Sequence, residues 1–240
     1  MNRRITILSG AGISAESGIR TFRDSDGLWE EHRIEDVATP EAWQRDPKLV
    51  LHFYNLRRKQ LQEVEPNAAH LAITELQKKF DVQVITQNVD DLHERAGNSK
   101  VLHLHGELKL ARSTGSPFTV YPIDSLSRDF GRWELNLGDL CKNGHQLRPH
   151  IVWFGEAVPK LETAAQLTSE SDALIIVGTS LNVYPAASLY QYAKENCPIW
   201  IIDPKASELV YPEKITAINE NAGAALPKLV ASFLNEEIVF

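Results

Sequence analysis

The chain has 240 residues, of which 43% are hydrophobic and 24% are charged, and its formal net charge is -7. This length and composition are typical of one large globular domain, or of a large domain with a smaller one. The negative charge argues against a general nucleic-acid surface. Two cysteines, Cys141 and Cys197, make no disulfide framework and favour a reducing compartment, so we expect a cytoplasmic protein. No apolar run reaches the ~18 residues of a membrane span, which predicts no membrane partner.

A glycine-rich turn follows the first apolar run of the chain. Residues 5–8 are typical of a buried strand, and Gly10, Gly12 and Ala15 fit the pattern G-x-G-x-x-G/A. In that pattern small residues let the backbone approach a pyrophosphate, and the N–H groups at the start of the next helix face the phosphates. A structural turn with no ligand gives the same pattern, so the glycines alone do not establish a nucleotide site.

The residues after Ser17 are polar and punctuated by glycine, whereas a dehydrogenase would continue into a second strand with an acidic ribose ligand. The next predicted strand is 82–86. This favours a long loop that covers a ligand, with Arg20 and Arg23 near phosphates and Phe22 against a reactive sugar. The alternative is two solvated arginines and a packed phenylalanine.

Strand and helix patterns alternate along the rest of the chain. The main predicted strands are 82–86, 101–105, 151–156, 173–177, 199–203 and 215–218. The main predicted helices are 47–63, which begins after Asp46 as N-cap, 68–76, which Asn67 caps, and 160–167, 186–194 and 226–234. Such alternation predicts an α/β fold, a Rossmann-like parallel sheet with helices on both faces. We expect one domain over 1–240, with its larger part formed by 1–24, 66–105 and 151–240. A smaller inserted lobe is predicted from 25–65 and 106–150, where short runs at 118–121 and 133–137 alternate like strands.

Polar residues follow the predicted strand 82–86. Ligands of open α/β sheets bind beyond the carboxyl ends of strands, so Gln87, Asn88 and Asp90 are expected to contact a ligand. Strand alternation places His103 and His105 on one face. A histidine with an ordinary pKa of about 6.5 suits proton transfer near neutral pH. A metal held by the two histidines, or packed core histidines, are the alternatives.

Five stretches, taken together and in order, resemble the sirtuins, which are NAD-dependent protein lysine deacylases. The similarity is greatest to the bacterial CobB-like and mitochondrial desuccinylase branch. The stretches are Gly10–Arg23, Thr86–Gly97 (TQNVDDLHERAG), His103–Leu108 (HLHGEL), Val152–Glu156 (VWFGE) and Gly178–Ala187 (GTSLNVYPAA).

The resemblance implies a site that binds NAD as cosubstrate. It implies His105 as general base and Asn88 and Asp90 as further catalytic residues. The acyl oxygen attacks C1′ of the ribose, nicotinamide leaves, and the acyl group ends on ADP-ribose. The NAD-binding residues that it implies are Gly10, Ala11, Gly12, Ser14, Glu16, Phe22, Arg23, Gln87, Asn88, Asp90, Gly178, Thr179, Ser180, Asp203 and Ala222.

The implied substrates are acylated lysine side chains of proteins. By resemblance, the segment with Val152, Phe154, Gly155 and Glu156 pairs with the substrate backbone as an added strand. Tyr54 and Arg57 stand three apart and share a helix face. They match a Tyr-x-x-Arg pair that, in the desuccinylase branch, binds the far carboxylate of succinyl- or malonyl-lysine. We therefore expect both deacetylation and desuccinylation or demalonylation; a core tyrosine beside a solvated arginine is the alternative.

The chain departs from the family pattern at the zinc site, which needs four thiolates in most sirtuins. Only Cys141 lies in that region, with His145 and His150 as the remaining candidate ligands, so we expect no zinc. Apolar packing should hold the small lobe instead. The candidates for that packing are Phe118, Val120, Tyr121, Trp133, Leu135 and Leu137.

A second departure is Ile201, where the family usually has an asparagine that binds the adenosine ribose. Asp203 is expected to take over that hydrogen bond, and Ala222 matches a small residue of the adenine site. Two other functions share the same motifs: an ADP-ribosyltransferase or NAD glycohydrolase, and a non-enzymatic NAD sensor. The sequence assigns no oligomeric state.

Overall fold

The structure is a computed structural model that describes residues 3–19, 28–29, 32–126, 132–209, 211–212 and 215–238. The strands are β1 (Arg4–Ser9), β2 (Leu28–Trp29), β3 (His32–Arg33), β4 (Asp81–Thr86), β5 (Val101–His103), β6 (Gly106–Ser113), β7 (Val120–Pro122), β8 (Leu147–Ile151), β9 (Ala173–Val177), β10 (Ile199–Ile202) and β11 (Ile215–Ile218). The α-helices are α1 (Gly12–Ala15), α2 (Ile34–Val37), α3 (Pro40–Arg45), α4 (Pro47–Glu63), α5 (Ala68–Leu76), α6 (Leu92–Arg95), α7 (Leu161–Ser169) and α8 (Ala222–Leu234). Short 3-10 helices cover Ile123–Leu126, Ala186–Tyr192 and Ala206–Glu208.

The central sheet has six parallel strands in the order β11-β10-β9-β1-β4-β5. Its middle strands are apolar along most of their length, and every residue of β9 is fully buried. From β1 the chain adds β4 and β5 on one side and then crosses to β9, β10 and β11 on the other. The order therefore reverses between β1 and β9, and ligands of open α/β sheets bind beside such a reversal.

Helices cover both faces of this sheet. On one face α5 and α8 pack over Ile5, Ile7 and Ile175. On the other face α7 and the 3-10 helix at 186–192 pack over Leu8 and Ile176. The predicted Rossmann-like parallel sheet, covered on both sides, is confirmed.

Local signals fix where the longer helices begin. The Asp46 carboxylate accepts the Leu49 N–H at 3.0 Å, with Pro47 as the first residue of α4. Asn67 caps α5, since its side chain accepts the Ala69 N–H at 2.9 Å while its own N–H donates to His70 Nδ1 at 3.3 Å. Both helix starts were predicted.

A smaller antiparallel sheet, in the order β7-β6-β8, packs against α4. Arg58 of α4 is buried and donates from Nε to the Leu108 carbonyl of β6 at 2.6 Å. The sheet lies in the segment predicted to form the small lobe; the two-lobe division with its boundaries stays a prediction.

The predicted elements that differ from the structure include three in the second half of the chain. Residues 133–137 form no strand, and 186–192 form a 3-10 helix rather than an α-helix. The predicted strand 151–156 shares only Ile151 with β8, which ends at that residue, and the chain turns at Gly155, whose φ is 88°. That turn is closed by the Glu156 carboxylate, which accepts the Trp153 N–H at 2.8 Å.

Half of the packing predicted for the small lobe is wrong, and Trp133 is half-buried. Leu135 is fully buried and Tyr121 packs at the edge of the same cluster, but Phe118, Val120 and Leu137 are 50%, 38% and 42% exposed. The reason is that β7 is an edge strand and 133–137 has no partner strand to impose alternation. The buried residues of this cluster are Leu51, Ala111, Ile123, Leu135, Cys141 and Leu147.

A polar network joins the rest of this region. The Gln146 side chain accepts the Gly138 N–H at 2.8 Å and donates to the carbonyls of Leu147, Asn136 and Asp139 at 2.9, 3.1 and 3.2 Å. One side chain thus holds the segment 136–147, which contains Cys141.

In the part of the chain that the structure describes, no helix is long and apolar enough to cross a membrane.

Candidate functional site

Two loops meet at the point where the strand order reverses. The Gly10 N–H donates to the Val177 carbonyl at 3.0 Å, and the Gly12 N–H donates to the Gly178 carbonyl at 2.8 Å. A Cβ on Gly12 would lie 2.7 Å from Gly178 Cα, and one on Gly178, at φ +63°, would lie 2.2 Å from Ile13 N. These glycines therefore permit close packing of the loops after β1 and β9, besides any approach to a phosphate.

The helix after the glycines is a single turn, shorter than the pattern suggested. It starts at Gly12 after Ala11 and gives way to turns that run to Gly18. The Glu16 carboxylate accepts the Gly223 N–H at 2.6 Å, at the start of α8 beside Ala222. The structure thus brings together Glu16 and Ala222, two predicted NAD-binding residues from opposite ends of the chain.

A buried polar cluster joins three more of the predicted residues. Asn88 Nδ2 donates to Ser14 Oγ at 3.0 Å, and Ser14 Oγ donates to Asp90 Oδ2 at 3.0 Å. Burial raises the pKa of Asp90, whereas the Leu92 N–H, the Ser14 hydroxyl and nearby positive charges lower it. The cluster presents hydroxyl, amide and carboxyl groups at the carboxyl ends of β1 and β4.

Gln87 connects this cluster to the loop after β9. Its Nε2 donates to Thr179 Oγ1 at 3.3 Å, and Ser180 follows directly. Asp203 is buried at the end of the neighbouring β10, where its Oδ1 accepts the Lys205 N–H at 3.0 Å. All of these predicted residues lie along the same carboxyl edge of the sheet.

His105 lies just beyond β5 with a defined tautomer. Its Nδ1 is 3.0 Å from the Gln87 carbonyl oxygen. Because a carbonyl only accepts hydrogen bonds, Nδ1 carries the proton and a neutral ring keeps a lone pair on Nε2. Burial lowers the pKa of His105, which favours this neutral form near pH 7.

His103 is engaged at both ring nitrogens, since Nδ1 lies 2.9 Å from the Asn88 carbonyl oxygen and Nε2 lies 2.8 Å from Glu94 Oε1. These contacts leave no lone pair on the His103 ring for a metal, which was one of the alternatives for His103 and His105. Over the described ranges, no group of three or more His, Cys, Asp or Glu side chains is placed to hold a metal ion. Cys141 instead belongs to the apolar cluster of the small sheet.

Tyr54 and Arg57 are buried side by side on α4. The Trp153 indole N–H donates to the Tyr54 hydroxyl oxygen at 3.1 Å, which leaves the Tyr54 O–H able to donate elsewhere. Arg57 is 6% exposed, so the alternative of a solvated arginine is wrong. Its charge acts on both the Tyr54 hydroxyl and the Asp90 carboxyl, and it opposes the rise in pKa that burial causes in each.

The segment Val152–Glu156 shapes the opposite side of the site. The Val152 N–H donates to the His105 carbonyl at 2.9 Å, and Phe154 is 47% exposed. Glu156 points inward and binds Arg112 and Arg148 at 2.7 and 2.8 Å. The Glu156 carboxylate is thus used within the protein and stabilises the turn.

Residues that the sequence did not assign also build this site. The Arg148 guanidinium lies 3.2 Å from the centre of the Trp153 ring, and Glu94 binds His103. Trp153 and Glu94 lie inside two of the stretches that carry the resemblance to the sirtuins, and that resemblance was the signal by which the sequence could have identified them. The predicted contacts of Arg20, Phe22 and Arg23 lie outside the described residues.

A doubly covered parallel sheet with glycine loops and a buried polar cluster at its reversal point defines a nucleotide-binding α/β protein. The family model described as "Sir2 family" matches residues 10–185. The chain is 56% identical over 234 residues to a Helicobacter pylori (strain ATCC 700392 / 26695) protein named NAD-dependent protein deacylase, covering 97% of this chain and 98% of that one. The chain belongs to the Sir2 family.

Two further relatives agree. A Bacteroides thetaiotaomicron protein named NAD-dependent protein deacylase is 49% identical over 227 residues, covering 95% of this chain and 96% of its own. A crystal structure of a Sir2 homolog–NAD complex superposes with a TM-score of 0.83 at 38% identity, covering 98% of this chain and 91% of that one.

Proposed function

We propose that this chain is an NAD-dependent protein lysine deacylase, which transfers the acyl group of a modified lysine to ADP-ribose and releases nicotinamide. The observation that carries the proposal is the neutral His105, with its lone pair on Nε2, beside the cluster of Ser14, Asn88 and Asp90. The relatives named NAD-dependent protein deacylases support it over nearly the whole chain.

The residues of the cluster fit the chemistry of NAD. Its ribose hydroxyls and carboxamide both donate and accept hydrogen bonds, and the hydroxyl of Ser14, the amide of Asn88 and the carboxylate of Asp90 match them in kind. Gly10, Gly12 and Gly178 hold the loops after β1 and β9 close together at the same edge, which is where a pyrophosphate would lie. When bound, NAD supplies an electrophilic ribose carbon to which the acyl oxygen adds.

In this proposal His105 takes a proton from a ribose hydroxyl at its Nε2. The lowered pKa keeps the ring neutral near pH 7, so it is ready to act as base. Asn88 and Asp90 orient the ribose, and Gln87 holds the adjoining loops together through Thr179.

The acyl group is proposed to lie against Tyr54 and Arg57. A guanidinium can bind a carboxylate through two parallel hydrogen bonds when the acyl group ends in one, as in succinyl- or malonyl-lysine. Trp153 orients the Tyr54 hydroxyl so that its proton can be donated to the same carboxylate. We propose that the backbone of Val152, Phe154 and Gly155 receives the substrate peptide, while Glu156 acts only on the turn.

In the deciding experiment, the protein is incubated with NAD and one peptide that carries either acetyl- or succinyl-lysine, and all products are identified by mass spectrometry. Acylated ADP-ribose and nicotinamide in equal amounts, formed only with the peptide, are expected. NAD breakdown without peptide would point instead to a glycohydrolase, and ADP-ribose attached to protein to a transferase. Binding of NAD with no turnover would point to a sensor.

A further inference from the structure

Asn88 is held through its backbone as well as its side chain. Its N–H donates to Thr86 Oγ1 at 3.0 Å, and its carbonyl lies 2.9 Å from His103 Nδ1. Its side-chain amide donates to Ser14. The position of this residue is therefore set by groups behind the surface that would face NAD.

The partners of His103 define its charge. The Asn88 carbonyl and the Glu94 carboxylate both accept hydrogen bonds, so both ring nitrogens must donate and the ring is an imidazolium. Burial alone would lower the pKa of His103, but the hydrogen bond and charge of Glu94, together with the hydrogen bond to the Asn88 carbonyl, oppose it and the pKa is raised. Glu107 on β6 adds a weaker effect in the same direction.

The His103 charge also acts on Asp90. Burial raises the pKa of the Asp90 carboxyl, and the positive charges of His103 and Arg57 oppose that rise. Another ionisable group near His103 is His93 of α6, whose pKa burial lowers far below the usual range, so that it stays neutral.

We propose that His103, charged and held by Glu94, is a positioning residue of the site, which fixes the Asn88 carbonyl and favours the ionised form of Asp90. It acts through these two residues. The inference rests on the proposed function for its turnover measurement, but the charge of His103 and the affinity for NAD can be measured without turnover.

The sharpest variant is Glu94→Gln. The Glu94 side chain is 40% exposed, and glutamine keeps its size and one acceptor oxygen while removing the charge. Glu65→Gln is the matched control, because Glu65 binds Arg95 of the same helix α6 at 2.8 Å and is 81% exposed. His103→Gln removes the charge itself, and if that variant fails to fold Glu94→Gln decides alone.

The first measurement is the 15N NMR titration of the His103 ring in the protein without NAD. A ring that is charged near pH 7 in the wild type and in Glu65→Gln is expected, with a midpoint at least about one pH unit lower in Glu94→Gln. A His103 ring that is neutral near pH 7 in the wild type overturns the proposal.

The second measurement is NAD affinity by calorimetry, with turnover alongside it. In Glu94→Gln, at a pH where His103 is neutral, we expect NAD to bind at least about threefold more weakly and kcat to fall about tenfold. As the pH is lowered, the NAD affinity of Glu94→Gln should recover with the same midpoint as the His103 titration measured by NMR. A purely structural role of Glu94 would not produce this pH dependence. Wild-type affinity and kcat in Glu94→Gln while His103 is neutral refute the inference. A wild type that binds NAD but deacylates nothing refutes the proposed function, and the affinity then decides the role of His103.

Discussion

His105 and His103 donate their Nδ1–H groups to consecutive carbonyl oxygens, those of Gln87 at 3.0 Å and Asn88 at 2.9 Å. The two rings nevertheless differ in charge. Burial lowers the pKa of His105, whereas Glu94 at Nε2 raises that of His103 against its own burial. One short motif thus provides a neutral ring suited to act as a base and a charged ring suited to hold the loop.

Replacing His105 with alanine should reduce NAD-dependent deacylation by about a hundredfold or more, because general-base catalysis typically contributes at least that factor. Losing the ring removes its hydrogen bond to the Gln87 carbonyl at the edge of the sheet, so the folded state should persist. Steady-state kinetics and thermal unfolding check both statements. His52→Ala, on the exposed side of α4, is the control, and a His105→Ala activity within about threefold of wild type would remove His105 from its role.

Arg57→Met should separate the two acyl activities. Hydrogen bonds to a charged group contribute roughly 1.5–3 kcal/mol, or about ten- to a hundredfold, so desuccinylation should fall at least tenfold in kcat/KM. Deacetylation should fall far less than desuccinylation, because an acetyl group has no carboxylate and loses only the effect of the Arg57 charge on Asp90. Matched succinyl- and acetyl-lysine peptides provide the comparison.

The control for this prediction is Arg58→Met. Arg58 binds the Leu108 carbonyl and Asn55 Oδ1 at 2.6 and 2.8 Å, and burial lowers its pKa to about 10. Its loss should lower the free energy of unfolding by about 1–3 kcal/mol and affect both activities alike. If Arg57→Met behaved in the same way, Arg57 would be structural.

The purified protein should contain far less than one zinc per chain, and a chelator should leave its unfolding temperature unchanged. Gln146→Ala should lower the free energy of unfolding by about 1–3 kcal/mol, since Gly138 N–H and three carbonyls lose a partner. Gln166→Ala, which removes an exposed bond to Glu170, should change it by less than about 0.5 kcal/mol. Metal analysis that finds about one zinc per chain contradicts the expected absence of zinc.

Two buried histidines should make the fold sensitive to acid. Burial lowers the pKa of His70 to about 4 and that of His93 well below its usual range, and the rings lie 4.9 Å apart. As the pH falls, the histidines of the unfolded chain, whose pKa is about 6.5, bind protons before those of the folded protein do. Stability is therefore present above about pH 6.5 and is lost as the pH falls toward 4, by about 1.4 kcal/mol per pH unit for each histidine.

His70→Gln tests this acid sensitivity, because glutamine at this position of the capping box can still accept the Asn67 N–H. Urea unfolding between pH 7 and 4 should show a shallower pH dependence in this variant. His52→Gln, on the exposed face of α4, should keep the wild-type slope. An unchanged slope in His70→Gln would contradict the assignment.

Gly178→Ala should weaken NAD binding and lower the unfolding temperature, because a Cβ would lie 2.2 Å from Ile13 N and force the two glycine loops apart. Gly138→Ala is the control, since Gly138 has φ +90° but a Cβ there would meet no described atom within 4 Å. The free energy of unfolding of Gly138→Ala should fall only by the roughly 1–2 kcal/mol that a positive φ costs a non-glycine residue, and its NAD affinity should be unchanged. Calorimetry with NAD and thermal unfolding distinguish the two variants.

Local patterns in the sequence predict the framework of this protein. The runs at 173–177 and 199–202 are apolar on both faces, which only a covered parallel sheet accommodates. The first is a strand with the predicted bounds, and the second ends at Ile202, one residue before the predicted end at Asp203. The starts of α4 and α5 followed from Asp46 and Asn67, because a helix cap depends on neighbours within three residues. The polar residues after β4 were placed at the sheet edge by the same local reasoning.

The chemistry of individual side chains depends on contacts that form only in the folded protein. The charge of His103 depends on Glu94, the tautomer of His105 depends on Gln87, and the free O–H of Tyr54 depends on Trp153, which lies 99 residues further along the chain. Likewise, the turn after Ile151 depends on Arg112 and Arg148, which bind Glu156 from the small sheet. Hydrogen bonds and burial between distant segments set these properties, and no local pattern encodes them.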